Sequence, residues 1–248
     1  MPTVEENVNH WSAYDWSAGG DEWSSVWGGT PCIWYGTVLP RILNFLPAGR
    51  VLEIAPGYGR FTQYLKDQCE ALEVVDLTER CIDACRVRFQ DASNITYHVN
   101  DGRSLEMIAD GSIDFAFSFD SLVHAEADVL EAYATQLARK LRPDGVGFFH
   151  HSNIHAFKDA DGNLPFKNEH WRAESMSADL FVEYCENAGL MVLSQELVNW
   201  GGMPLTDSIS VFTHPGSKWG PARGQHENPG FMDEAVALGR VAKLYHHT

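Results

Sequence analysis

Residues 50–59 read RVLEIAPGYG, a short apolar strand that runs directly into a turn containing two glycines. Helical spacing of apolar residues resumes after Gly59, so the turn joins a strand to a helix. Glycines in such a turn let the backbone approach a ligand closely, and the helix start offers free N–H groups. The stretch is neither GxGxxG nor a phosphate loop ending in GK[ST], and Glu53 would repel a pyrophosphate. It therefore predicts a ligand-binding βα unit that does not hold phosphates.

The alternation of strand and helix continues along the chain to residue 214. After the first strand at 50–55, strands are predicted at 71–76, 95–99, 113–119, 146–150, 190–197 and 208–214. Helices are predicted at 60–69, 79–90, 129–141 and 177–187. This alternation predicts a Rossmann-like α/β fold, with a seven-stranded, mostly parallel sheet covered by helices on both faces. Because no helix separates the last two strands, we expect the last strand to be antiparallel, in a hairpin at one edge.

The two ends of the chain differ from this alternating core. Residues 1–44 contain five of the eight tryptophans, which predicts a Trp-rich N-terminal cap or lid. The alternative is a segment that packs across a sheet edge. Residues 215–248 combine a Pro/Gly-rich stretch with an amphipathic helix that docks on the domain or on a partner subunit, so a homodimer stays open. We expect one domain in residues 1–248, with its core at 45–214.

Composition argues against several classes of partner. The formal net charge of −16 repels phosphate backbones and anionic lipid, so neither nucleic acid nor a membrane is expected as a partner. No apolar run reaches the roughly 20 residues that span a bilayer. The N-terminal sequence MPTVEENVNHW is unlike a signal peptide. Five cysteines without a CxxC pair indicate reduced thiols, so we expect a cytoplasmic protein.

The glycine turn resembles the first motif of the class I S-adenosylmethionine-dependent methyltransferases. That motif, E-x-x-x-G-x-G, is matched by Glu53, Gly57 and Gly59, with Ala55 where most members have glycine. Asp76 ends the second strand, as does the acid that holds the ribose hydroxyls in this family. The resemblance covers about residues 45–214.

Two further stretches resemble the same family. Asp101 follows the third strand, where the family places an adenine-binding acid. Residues 137–149, LARKLRPDGVGFF, resemble the family's leader to strand five, with Asp144 at a position that is usually glycine.

The resemblance implies S-adenosylmethionine as cofactor, S-adenosylhomocysteine as product and a small-molecule acceptor. Arg60 would pair with the cofactor carboxylate, and Asp120 or Ser121 would hold its amino group. The implied cofactor-binding set is Glu53, Ala55, Gly57, Gly59, Arg60, Asp76, Leu77, Asp101, Gly102, Arg103, Asp120, Ser121 and Trp27.

Two histidines are candidates for the base that removes a proton from the acceptor. His124 follows the fourth strand, and an imidazole has the near-neutral pKa that general bases need. The alternative is a histidine that caps a helix or only supports the site. In FFHHSNIH, His150 and His151 should face opposite ways because side chains alternate along a strand. We expect His151 to face the pocket as a second candidate base. The histidine spacing matches no metal signature, so no metal is expected.

The acceptor pocket is expected to form from long, aromatic-rich segments. These are residues 158–178, the Trp-rich N-terminus and residues 199–202, with His155, Trp171 and Trp200 as substrate-binding candidates. EWSSVWGGTPCIWYGTVLPRI and HVNDGRSL resemble methyltransferases of bacterial polysaccharide or glycosylated natural-product pathways. That resemblance implies O-methylation of a sugar hydroxyl. The alternatives are N- or O-methylation of a non-sugar metabolite or peptide, and a cofactor-binding module without catalysis.

Overall fold

The strands form one mixed sheet. The computed structural model describes residues 2–245; residue 1 of the predicted cap and residues 246–248 of the predicted tail lie outside the described residues. The strands within this range are β1 Ala48–Ile54, β2 Cys69–Asp76, β3 Ile95–Val99, β4 Ile113–Ser118, β5 Leu141–Ser152, β6 Met191–Val198, β7 Asp207–Thr213 and β8 Gln225–Asn228. Their order across the sheet is β3-β2-β1-β4-β5-β7-β6-β8, and β7 is antiparallel to both of its neighbours.

The α/β, Rossmann-like and mostly parallel character of the sheet agrees with the sequence prediction, but the strand count of seven is wrong. The eighth strand, β8, pairs in parallel with β6, so the β6–β7 hairpin does not form the edge. The four residues of β8, QHEN, are polar and mostly exposed. They carry no apolar alternation that sequence reasoning could detect, because an edge strand is specified by backbone pairing with its neighbour.

The α-helices lie between and around these strands. They are α1 Val4–Ala13, α2 Thr30–Ile33, α3 Leu39–Ile42, α4 Thr62–Leu65, α5 Glu79–Arg88, α6 Ala127–Lys140, α7 Ala178–Asn187 and α8 Phe231–Tyr245. A π-helical turn at Trp34–Val38 joins α2 to α3. The helix predicted at 60–69 shrinks to the single turn of α4, because the chain must already enter β2 at Cys69. No helix in the described range is long and apolar enough to cross a bilayer.

Alternate residues of the strands build two separate cores. Phe117 and Phe148 face the side covered by α2 to α4 and α8, where Trp34 and Phe231 are fully buried. Phe149 faces the other side, which is covered by α6 and α7. The alternation along β5 therefore sends each successive residue to a different core.

The N-terminal segment starts with a well-specified helix. Thr3 accepts a hydrogen bond from the backbone of Glu6, and the Glu6 carboxylate accepts one from the backbone of Thr3, which forms a capping box for α1. The amide of Asn7 then donates to the His124 carbonyl oxygen at 2.9 Å. These contacts hold α1 beside the loop that follows β4.

Candidate active site

A cavity lies at the carboxyl ends of β1, β2 and β4, where the strand order reverses and open α/β sheets bind their ligands. Its floor is the glycine turn predicted from the sequence. Ala55 and Gly57 line the cavity, and both have positive φ angles, 57° and 58°. A Cβ atom on Gly57 would lie 2.9 Å from the ring of Trp16, so this glycine permits a close approach from the cavity side.

Gly59 has a different role from the one predicted. It does not line the cavity, and a Cβ atom there would lie 2.5 Å from the ring of Phe89. Its φ of 84° also lies in the left-handed region. Gly59 therefore allows the turn to pack on the end of α5, and it does not itself open the site to a ligand.

Glu53 and Asp76 both line the cavity and are buried. Burial raises the pKa of Glu53 to about 8, against a smaller opposing effect of the hydrogen bond that Thr62 donates to its carboxylate at 2.5 Å. Burial likewise raises the pKa of Asp76 to about 6, although Thr78 and the Gly57 N–H donate to that side chain. Two carboxyls with raised pKa values favour a cationic or hydrogen-bond-donating ligand, since either would stabilise their ionised form.

The turn after β3 departs from the prediction. The Asp101 carboxylate is exposed and accepts from the backbone N–H groups of Arg103 and Ser104, and it does not line the cavity. Arg103 is also exposed and pairs with Asp128. Asn100 and Gly102 line the cavity instead. Because Asp101 closes its own turn and Arg103 pairs with Asp128, neither side chain lines the cavity, and their predicted cofactor role stays a prediction.

Leu77, Arg60, Asp120 and Ser121 line the cavity. The guanidinium of Arg60 is buried and donates to the Asp120 carboxylate at 2.7 Å, so the charge predicted to meet a cofactor carboxylate is already paired. Ser121 donates its hydroxyl to the Ala55 carbonyl oxygen at 2.8 Å, which ties the loop after β4 to the glycine turn.

His124 lines the cavity as a neutral imidazole. Its Nδ1 lies 2.9 Å from the Trp171 carbonyl oxygen, which can only accept, so Nδ1 carries the proton. Nε2 therefore has a free lone pair and no hydrogen-bond partner among residues 2–245. Burial, aided by the charge of Arg172, lowers the pKa of His124 to about 4. At neutral pH His124 is therefore an uncharged imidazole in the cavity lining, and its Nε2 can accept a hydrogen bond or a proton.

The prediction that His151 faces the pocket is wrong. His151 packs on Phe181 of α7, donates from Nδ1 to the Ser152 carbonyl and accepts from Ser210 at Nε2. Both ring nitrogens are thus engaged in the α6–α7 core. His150 lies on the opposite face against Phe119, and it too stays outside the cavity lining. The two histidines do face opposite sides of the sheet, but neither of them lines the cavity.

Three of the predicted aromatic or histidine contacts lie away from the cavity lining. Trp27 is buried in the core on the side of the sheet covered by α8, where its indole N–H donates to the Thr37 hydroxyl and its ring packs on Trp200. Trp200 packs on Phe231, so neither tryptophan reaches a ligand there. His155 is exposed outside the cavity. Trp27 and Trp200 thus pack in the core, and the binding roles predicted for these three residues stay predictions. Trp171 lies at the site, with its ring centroid 5.6 Å from that of His124.

The aromatic side chains that do reach the cavity come from α1 and the segment after it. We call Trp11, Trp16 and Trp23 the aromatic cap; their ring centroids lie 5.4 to 6.0 Å apart. Trp16 also stacks on Tyr58 at 4.6 Å. The tryptophan density of residues 1–44 predicted the cap, but the choice of these three tryptophans had no sequence signal. Among residues 2–245, no group of three His, Cys, Asp or Glu side chains could hold a metal ion.

Comparison with known proteins agrees with this geometry. Residues 51–145 match the family model described as "Methyltransferase domain". That range contains the glycine turn, Asp76 and His124, all of which line the cavity. Residues 51–145 are therefore similar to a methyltransferase domain.

Two curated proteins similar to this chain come from plants. Phosphoethanolamine N-methyltransferase 1 of Triticum aestivum is 29% identical over 149 residues, which is 58% of this chain and 30% of that protein. The protein of the same name from Arabidopsis thaliana is 26% identical over 148 residues, again with 30% of its length covered. The chain therefore spans about a third of the length of the curated relatives it matches.

Solved structures share the fold of this domain. A SAM-dependent methyltransferase from Leishmania major has a TM-score of 0.62 at 11% identity, with 85% of this chain and 82% of that chain covered. A TehB-like SAM-dependent methyltransferase from Corynebacterium glutamicum has a TM-score of 0.53 at 20% identity, with 86% and 98% covered. At these identities the likeness concerns the fold.

Proposed function

We propose that this chain transfers a methyl group from S-adenosylmethionine to a small-molecule acceptor bound between the aromatic cap and His124. The observation that carries the proposal is His124, a neutral histidine with an unprotonated Nε2, in the lining of a cavity that also contains the buried acids Glu53 and Asp76. An acid-lined floor and a neutral base in one cavity match the two requirements of the reaction. The first requirement is a site that binds the positively charged cofactor. The second is a base that accepts the proton that the substrate loses.

The residues present fit S-adenosylmethionine. Asp76 would accept from the ribose hydroxyls, because its carboxylate lies at the end of β2 beside the Gly57 N–H. Glu53 and Asp120 complement positive charge, and Asn100, Gly102 and Leu77 would line the adenine side. When bound, the cofactor supplies a methyl group that its sulfonium has already activated.

His124 would take the proton of the acceptor at Nε2. The Trp171 carbonyl keeps the proton of the ring on Nδ1, so Nε2 is available without a prior tautomer change. The nearby charge of Asp120 favours the imidazolium once the proton has arrived. The buried setting excludes bulk water, which keeps the base oriented toward the acceptor.

The first acceptor class we propose is a sugar hydroxyl. Trp11 and Trp23 offer flat apolar faces, and His124 and Asp120 offer polar partners, a combination that suits a sugar ring. Methylation of a nitrogen or oxygen on a non-sugar metabolite is the second candidate, and the names of the plant relatives favour an amine. A cofactor-binding module without catalysis is the remaining alternative. The net charge of −16 argues against nucleic acid as the acceptor.

Charge in the cavity supports an acceptor without a phosphate group. Among the lining residues of the described range, Arg60 is the one Lys or Arg side chain, and Asp120 already neutralises it. A phosphate monoester would meet Glu53, Asp76 and Asp120 with no unpaired cation to bind it. We therefore expect free sugars and amines to be preferred over their phosphorylated forms.

The test has two stages. Calorimetry with S-adenosylhomocysteine measures cofactor binding, and absence of binding would overturn the enzyme proposal. A mass-spectrometric screen then offers S-adenosylmethionine with matched acceptor pairs, such as glucose with glucose 6-phosphate and ethanolamine with phosphoethanolamine. Methylation of only the phosphorylated partners would contradict the charge argument.

The base is tested with His124→Gln, for which His155→Gln is the matched control because that exposed histidine lies outside the cavity. We expect His124→Gln to lose turnover and to keep cofactor binding, and His155→Gln to keep both.

A further inference from the structure

A buried network beside the active site begins at Trp171, whose carbonyl oxygen fixes the tautomer of His124. Trp171 has a φ of 52°, in the left-handed region that a tryptophan rarely adopts. Such a conformation persists where the surrounding structure holds it in place. The contacts that hold it begin at the next residue, Arg172.

The Arg172 side chain is buried, and its Nη2 lies 3.9 Å from the carboxylate of Asp120 in the cavity lining. Its Nη2 donates to the Asp207 carboxylate at 2.8 Å, and its Nε lies 3.1 Å and 3.2 Å from the two carboxylate oxygens. The guanidinium also stacks over the Trp200 ring at 5.5 Å. Asp207 is completely buried at the start of β7. Although burial alone would raise the pKa of Asp207, the charge of Arg172 and the hydrogen bond from His150 hold that pKa well below its usual range.

His150 extends this ion pair to the floor of the cavity. Its Nδ1 accepts from the Asp120 backbone N–H at 3.1 Å, so the other nitrogen, Nε2, carries the proton and donates to Asp207 at 3.0 Å. Asp120 has a φ of 58°, another left-handed non-glycine residue in the site. The three buried residues Arg172, Asp207 and His150, which we call the latch, thus hold both strained positions.

The backbone around Arg172 is held on each side as well. Asn168 accepts from the Arg172 N–H at 2.9 Å and donates to the Arg172 carbonyl at 2.8 Å. Ala173 donates to the Val123 carbonyl at 2.8 Å, next to His124 in the chain. The segment therefore has little freedom to slide relative to the histidine.

We infer that the latch is a positioning device that presents the Trp171 carbonyl to Nδ1 of His124 and so keeps Nε2 unprotonated toward the cavity. The inference deepens the proposed function, because it rests on His124 as the base. Arg172, Asp207 and His150 do not line the cavity, so they act through the two residues they hold. The charged groups that act on His124 are Arg172, Asp120 and Asp207.

The inference can be tested without an acceptor, by NMR of protein with 15N-labelled histidine, with the His124 signals assigned through His124→Gln. In the wild type we expect one tautomer, protonated at Nδ1, that titrates only near the pKa of about 4. The double variant Arg172→Met/Asp207→Asn removes both charges of the pair and leaves no buried charge unpaired. In it we expect His124 to populate both tautomers, because the Trp171 carbonyl oxygen is no longer held at Nδ1.

The matched control is Arg142→Met/Asp114→Asn, which removes another Arg–Asp pair, at 2.7 Å but partly exposed to solvent. It should leave the His124 signals unchanged. A folded latch variant in which His124 keeps the single wild-type tautomer would overturn the inference.

If the double variant does not fold, Asn168→Ala tests the same device from its partly exposed side, with a smaller shift in the same direction expected. Unchanged His124 signals in Asn168→Ala would count against the latch. Cofactor calorimetry and turnover of His124→Gln are read separately. If the latch variant shifts the tautomer while His124→Gln keeps its turnover, His124 is not the base, but the proposed role of the latch still holds.

Discussion

Replacing Gly57 with alanine separates the two demands placed on the glycine turn. The first demand is the backbone conformation, because Gly57 has a φ of 58°. A non-glycine residue in the left-handed region costs about 1–2 kcal/mol of folding free energy. The second demand is space, because the new Cβ atom would lie 2.9 Å and 3.1 Å from two ring carbons of Trp16. Real Cβ atoms do not tolerate the shorter distance, so Trp16 of the aromatic cap must move away from the glycine turn.

Gly111 provides a matched control for this experiment. Its φ is 61°, close to that of Gly57, yet a Cβ atom there would meet nothing within 4 Å. Gly111→Ala should therefore lose about 1–2 kcal/mol in urea denaturation, and Gly57→Ala at least as much, because its Cβ atom also clashes with Trp16. Only Gly57→Ala should also lower the affinity for S-adenosylhomocysteine measured by calorimetry. We expect a loss of about tenfold or more, which corresponds to about 1.4 kcal/mol. Equal cofactor affinity in the two variants would refute the argument that the close packing of Trp16 on Gly57 shapes the cofactor site.

Further predictions concern the base, the buried acids and metal ions. His124→Gln should lower turnover by about 100-fold or more in an assay of methylated product, with cofactor affinity retained; a loss of only a few-fold would exclude it as the base. Because the folded-state pKa of Glu53 is raised from 4.5 to about 8, its contribution to stability is present below pH 4.5 and is lost as the pH rises to about 8. Urea midpoints of the free protein should therefore fall over that range, and Glu53→Gln should flatten the fall; an unchanged slope would contradict the raised pKa. Cofactor affinity should rise over the same range, because a bound cation favours the ionised carboxylate, and calorimetry at several pH values measures it. Chelator-treated protein should keep full activity, and a loss that added metal restores would show that a metal ion takes part.

Much of the cofactor site could be read from residues close together in the sequence. The strand, the glycine turn and the acid after the next strand are local patterns, and the residues they single out, Glu53, Gly57 and Asp76, line one cavity in the structure. Parallel strands bring their carboxyl ends to a common edge, so chain order alone predicts that these side chains meet. His124 followed from the same rule, as a residue just beyond the end of β4.

The remaining assignments depended on contacts between distant parts of the chain. The period-2 pattern of FFHHS predicts that His150 and His151 face opposite ways, but it cannot say which core lies on which side. The same holds for Trp27, which the packing of α8 drew into the core, and for Asp101, which its own turn recruited.

The sequence by itself determined the alternating α/β fold, the ligand-binding turn and the edge of the sheet at which the site forms. Only the tertiary structure decided that Trp171 orients His124 and that a buried Arg172–Asp207 pair holds Trp171 in place. The physical reason is one of range. Strand and turn preferences act over a few residues, whereas the pairing of Arg172 with Asp207 joins groups 35 positions apart, which meet only after the sheet has assembled.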